Sequence, residues 1–383
     1  MTHHLPCKRI KLTDDLLSSQ SPTAKKHGIS LGVPHIESLA QTTFNLLQKI
    51  KMRRVVCGDI RKVVDHLAPM DWLVFAEEKW YREHCWHQLR VAMLADILLN
   101  WELLERSESC NLTVDELAVA LWVSALLHDH GFLLSRWARI MPALFTTRTG
   151  GIGKYGREMF LLLLQCYEGL FSSLLTHAFC QMPEDTESVC KSDYALDKIG
   201  KRVRSFITDY LGEHRLGLGE NTIKRIQEGL NMYDHGVWSA LNLTCRLDQA
   251  GLPWHPEQDD TQLLKVIIEA ISIHNLEDFC GNDFDIGKNP VAGLLLLADE
   301  LQEWNRRAVP DHSAMDIGCT VYITRPLNGN MDVKFEYSDE DLTRAKWDID
   351  AVRRWKVRSI RRLRRARGLP NIRVTVCSNK KFR

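Results

Sequence analysis

No Cys-x-x-Cys pair occurs in the chain, and its 11 cysteines are odd in number and scattered. That excludes a zinc-thiolate knuckle and argues against a disulfide framework, so reduced thiols in an intracellular, cytoplasmic setting are expected. Long apolar runs are missing too. Stretches such as Leu294 to Gln302, "LLLLADELQ", are too short and too polar to span a bilayer, and no basic start followed by an apolar middle suggests a leader. A soluble protein with no membrane partner is the expectation. Excess charge of one sign is absent as well, with 50 Lys and Arg against 49 Asp and Glu. Attraction of the whole chain to nucleic acid or membrane therefore has no basis, and any such contact must be local. What remains, 45% hydrophobic and 26% charged residues over 383 positions, suffices for one large core or two smaller ones.

Three regions follow from the patterning. Residues 1–34 are rich in Ser, Thr, His and Lys with little periodicity, which predicts a flexible N-terminal arm. Within it Pro6 to Leu12, "PCKRIKL", is a short basic cluster similar to a nuclear import signal. Residues 35–310 repeat apolar side chains at three and four spacing, for example over Trp80–Leu104, Thr113–Leu127, Thr222–Leu230, Gly236–Ala250, Thr261–Ile273 and Pro290–Arg306. Start signals support them: Asn111 and Thr113 precede one run, and Asn289 followed by Pro290 reads as an N-cap with proline in the first turn. This predicts a mainly α protein, a helical bundle.

Residues 311–383 change to alternating runs, "CTVYITRP" and "DVKFEYS", around an Asn-Gly turn signal. A helix over Asp339–Ala366 and a third strand, "NIRVTVC", complete an expected ββαβ, α+β domain. The helix carries nine Lys or Arg and no acid between Ala351 and Arg367, so the other residues sum to about −8, from +1 minus 9. Its apolar positions Ile349, Val352, Trp355, Ile360 and Leu363 predict a stripe packed on the sheet.

The chemistry concentrates where apolar helices begin or end. His87 begins "HQLRVAMLADILL", His128 and Asp129 end "LWVSALLHD", His235 opens "HGVWSALNL", His274 ends "VIIEAISIH", and Asp299 lies within "VAGLLLLADELQEW". A carboxylate beside such faces costs several kcal/mol, on the order of a lost ion solvation, unless a positive partner compensates it. Each residue alone reads equally as a hydrogen-bonded helix end. As a set they are all metal-ligand types, and a carboxylate such as Asp129 can bridge two cations.

In this order the segments "EHCWHQLRVAMLADILL", "ALLHDHG", "MYDHGVWSALNL", "AISIHN" and "PVAGLLLLADELQEW" resemble the HD-domain metal-dependent phosphohydrolases over residues 75 to 307. The resemblance implies an HD-type helical bundle and one or two divalent ions, of Fe, Mn, Zn, Ni, Co or Mg. It assigns His87, His128, Asp129 and Asp299 to one ion and Asp129, His235 and His274 to a second. His84, one turn from His87, competes for the first place or serves substrate or proton transfer. The implied activity is hydrolysis of a phosphate ester of a nucleotide or related phosphorylated small molecule, by a phosphatase or phosphodiesterase. His130, beside the doublet, is a candidate general acid. Arg136, Arg139, Lys154, Arg157 and Asn275 are candidates to hold substrate phosphates, or, for Asn275, to orient a ligand.

The run His128-Asp129-His130-Gly131-Phe132 lacks the lysine that follows the doublet in the cyclic dinucleotide phosphodiesterases of the superfamily, and no Gly-Tyr-Pro follows it. "DHGVWSA" and "LLLLADELQEWNRR" are more similar to a bacterial HD group found near Hsp90-like ATPase modules. The alternative is a non-catalytic scaffold that senses a nucleotide, or that holds nucleic acid or another polyanion on the Arg-rich helix. Self-association stays open.

Overall fold

The computed structural model describes residues 9–27, 84–101, 112–132, 220–231, 234–249, 259–275, 289–304, 318–325, 330–364 and 369–379. Within them the chain is mainly helical, with one small sheet. In chain order the elements are β1 (Arg9–Lys11), α1 (Asp14–Gln20), α2 (Pro22–His27), α3 (His84–Asn100), α4 (Val114–Leu127), α5 (Glu220–Asn231), α6 (His235–Gln249), α7 (Asp259–Ile273), α8 (Pro290–Leu301), β2 (Cys319–Thr324), β3 (Asn330–Ser338), α9 (Asp339–Ala345), α10 (Ile349–Arg364) and β4 (Asn371–Asn379).

Two helices are apolar around their whole circumference and so occupy the centre. In α4, Leu117 and every residue from Val119 to Leu127 are buried; in α8, Pro290 to Ala298 and Leu301 are. Both start where the sequence places them. The Thr113 hydroxyl and the Glu116 carboxylate cap α4 reciprocally, and Asn289 accepts from the Ala292 amide ahead of Pro290. Around this pair α3 packs on α4 and α8, α7 on α4 and α8, α6 on α7, and the amphipathic α5 on α6 and α7.

The sheet has the order β1-β2-β3-β4, antiparallel between β1, β2 and β3 and parallel between β3 and β4. Val321, Ile323, Met331, Val333, Phe335, Ile372 and Val376 fill the face under α10. The expected ββαβ succession is present, but the first strand of the sheet comes from the N-terminal stretch.

Three expectations change here. The N-terminal stretch is no flexible arm between Arg9 and His27: Ile10 pairs with Ile323, and Leu12 and Leu17 are buried. Asp96 of α3 accepts hydrogen bonds from the Ser21 hydroxyl and from the amide and hydroxyl of Thr23, and so anchors α2. Composition hid this because the anchoring groups are themselves Ser and Thr. The long basic helix is divided. Lys346 adopts a left-handed conformation (φ 55°) that ends α9 before α10 begins. Finally, Trp355 is 50% exposed, whereas Lys356 is buried at 3%. The Lys356 ammonium meets the Glu303 carboxylate at 3.1 Å and donates to the Glu300 carbonyl, which makes the lysine, and not the tryptophan, the inward residue.

Candidate metal centre

Four helix ends and one last turn bring the ligand-type residues together. His87 lies in the first turn of α3, His128 caps the C-terminus of α4, and Asp129 follows it in the turn 128–131. His235 opens α6, His274 follows α7, and Asp299 sits in the last turn of α8. The two oxygens of Asp129 point to different neighbours. Oδ2 lies 3.3 Å from His128 Nε2 and 3.7 Å from His87 Nε2, while Oδ1 lies 3.0 Å from His235 Nε2 and 3.8 Å from His274 Nε2. Asp299 Oδ1 lies 2.9 Å from His87 Nε2 and 3.7 Å from His128 Nε2. The Nε2 atoms of His235 and His274 are 3.2 Å apart. Atoms about 2.1 Å from a common ion stand about 3.0 to 3.4 Å from one another; the 2.9, 3.0, 3.2 and 3.3 Å separations lie close to that range, and the 3.7 and 3.8 Å ones beyond it. Three groupings have ligand atoms within 4.8 Å: His87, His128 and Asp129; His128, His274 and Asp299; and Asp129, His235 and His274. These His and Asp groups could hold a metal ion.

Hydrogen bonds behind the rings fix which nitrogen faces inward. His128 Nδ1 donates to the Ala125 carbonyl and His274 Nδ1 to the Ile271 carbonyl, each at 2.7 Å. Gln302 donates through Nε2 to the Trp304 carbonyl at 2.7 Å, which leaves its Oε1 to accept from His87 Nδ1. Three imidazoles therefore present an Nε2 lone pair to carboxylate oxygens, acceptor against acceptor. Only a proton or a metal cation reconciles such pairs. His128 Nε2 is fully buried, with the carboxylates of Asp129 and Asp299 as its polar neighbours.

Electrostatics agree. Desolvation lowers the pKa of His128, but the charge of Asp129 and then the hydrogen bond and charge of Asp299 prevail and raise it to about 9. His235 is likewise raised, against desolvation, by its hydrogen bond and charge contact with Asp129. For Asp299 desolvation acts upward, yet His128 and His87 hold the carboxyl well below the usual range. Two buried basic side chains among the described residues are committed elsewhere. The buried Arg90 is bound in two-pronged fashion to Asp14, and Lys356 is bound to Glu303. His235 and Asp299, with side chains 19% and 29% exposed, form the open side of the cluster.

Two glycines let the helices approach closely enough. A Cβ on Gly131 would lie 2.3 Å from the Ser239 nitrogen and 2.4 Å from the His235 carbonyl. One on Gly236 would lie 2.6 Å from the Ile271 carbonyl and 2.7 Å from the His274 ring. Ser239 fastens the contact, accepting from the Gly131 amide at 2.6 Å while its hydroxyl lies 2.7 Å from the His128 carbonyl and 2.9 Å from that of His235.

All six expected ligands thus meet. His130 is 1% exposed, with Nδ1 3.4 Å from the Asn242 amide nitrogen, so it is a buried group and not a surface helix end. Asn275 reaches Asp234 at 2.8 Å and His235 Nδ1 at 3.3 Å, which places it beside one of the expected ligands. His84 begins α3, but its side chain, and all of Arg136, Arg139, Lys154 and Arg157, lie outside the described residues. Sequence reading passed over Gln302, Asp234, Ser239 and Gly236. Of these only Gln302 carried a signal, one helical turn after Asp299. No helix among the described residues is long and apolar enough to cross a membrane. The chain matches no protein-family model, no curated protein and no solved structure. The chemistry of the centre has therefore to be read from its own side chains.

Proposed function

We propose that the protein is a divalent-metal-dependent phosphohydrolase of the HD type, with Asp129 bridging two ion sites. The orientation of Asp129 carries this reading: one carboxylate oxygen faces His87 and His128, the other His235 and His274. Divalent cations at such a centre supply a nucleophile from water at neutral pH and positive charge for the oxygens of a phosphoryl group.

The chain's own groups do the remainder. Gln302 and the carbonyls of Ala125 and Ile271 hold three imidazoles in the ligating tautomer. Buried apolar side chains of α4 and α8 keep water from the rear of the site, so charges there act at low dielectric. A phosphate ester enters from the side of His235 and Asp299. Nucleotides and related phosphorylated small molecules are the substrate class. The test is hydrolysis of 4-nitrophenyl phosphate, its bis-ester and a nucleotide panel in the presence of Mn, Co, Fe, Ni, Zn or Mg. Activity on at least one, lowered by about 100-fold or more in both Asp129→Ala and His235→Ala, is expected. Hydrolysis that survives both substitutions would exclude this centre as its source.

A further inference from the structure

The basic helix α10 plays no part in the chemistry above, yet it is the most unevenly charged element of the chain. Its inward face is settled by Val352, Lys356, Ser359 and Ile360, all buried. Lys356 is neutralised by Glu303 within the fold. Of the nine basic residues between Ala351 and Arg367, eight arginines are then left for other duties. Arg353 and Arg354 contact Asp350 and Asp348 at the start of the helix, whereas exposed Arg358 has no acidic partner among the described residues. The helix continues through Arg361, Arg362 and Arg364.

Trp355 stands among these arginines. The Lys356 ammonium lies 4.5 Å from its ring centroid, which steadies the ring, and half of the residue is open to water. Burial of an indole normally stabilises a fold, and here half of it is left open amid cations. The surroundings discriminate between partners. A helix that lies in a membrane needs an apolar stripe, and among the described residues Val114 and Trp355 are the large hydrophobics that stay exposed, on different elements. A lone aromatic ring flanked by guanidinium groups is instead the arrangement that takes a base by stacking and its phosphates by charge.

We infer that the exposed face of α10 binds single-stranded nucleic acid, with Trp355 as the stacking platform and Arg354 and Arg358 on the backbone phosphates. Binding is sequence-tolerant, because a stacked base is read by its π face alone. The surface uses none of the six ligand-type residues.

The experiment is fluorescence anisotropy of a labelled 12-nucleotide oligouridine titrated with the full chain, with EDTA present to prevent turnover. Binding that weakens with salt is expected. Trp355→Ala should reduce affinity roughly 5- to 150-fold with an unchanged thermal midpoint, and Trp355→Phe should restore most of it. Arg354→Ala and Arg358→Ala should each lower the slope of log affinity against log salt by about 0.7. Absence of binding at low salt, or binding indifferent to Trp355 and to both arginines, overturns the inference. So does equal or tighter binding to phosphatidylserine vesicles with the same dependence on Trp355, which would make the face a membrane contact.

Discussion

At the scale of single residues, the six ligand-type side chains were legible because each interrupts an apolar helix where a leucine would cost nothing. What the sequence could not supply was the tautomer, which depends on partners distant along the chain. Gln302 is 215 positions from His87, and its amide is oriented by the Trp304 carbonyl. This makes Gln302 a test of whether the ring is positioned for a cation. Gln302→Leu should weaken metal retention by about 10- to 100-fold in a chelator competition while the fold persists. Metal retention equal to the parent's would mean that the hydrogen bond merely fills a buried site. Gly131 and Gly236 were illegible for a related reason: their need for an absent side chain arises only where α6 meets the turn after α4 and the end of α7.

Among elements, helices with strong repeats and caps were read nearly to their ends; the errors fell where tertiary contacts outvoted local pattern. The run expected to continue to Arg306 stops at Leu301, because the next three residues are recruited elsewhere. Gln302 turns to His87, Glu303 to Lys356, and the Trp304 indole to Asp14 at 3.1 Å. Hydrophobic spacing likewise favours Trp355 for the interior of α10, yet Lys356 takes that place. An ion pair with both partners 3% exposed explains the exchange, since it joins α10 to the end of α8. Lys356→Met should destabilise the protein by about 3 to 5 kcal/mol, because the Glu303 carboxylate would stay buried and lose its ammonium partner. The double variant with Glu303→Leu should recover most of that loss in a denaturant titration. Equal unfolding of single and double variants would show that the pair carries no coupling.

Over the whole molecule, the mainly helical class and the strand-rich C-terminal region were visible in the change of period from 3.6 to 2. The part played by the N-terminus was not, because three residues of strand and two short helices make too little pattern to stand out from a polar segment. Yet Arg9–Lys11 adds a strand to the sheet, and Asp14 binds both Arg90 of α3 and Trp304 beyond α8. The first described residues thus tie the sheet to the helices that bear His87 and Asp299.

The central claim is that one carboxylate serves two ion sites, and metal content tests it most directly. Elemental analysis of the protein produced in metal-supplemented medium should give about two equivalents per chain. His274→Ala should keep about one, and Asp129→Ala should keep less than one, because two of the three ligand groupings include that carboxylate. No bound metal in the parent, or a content unchanged by loss of Asp129, would contradict the account.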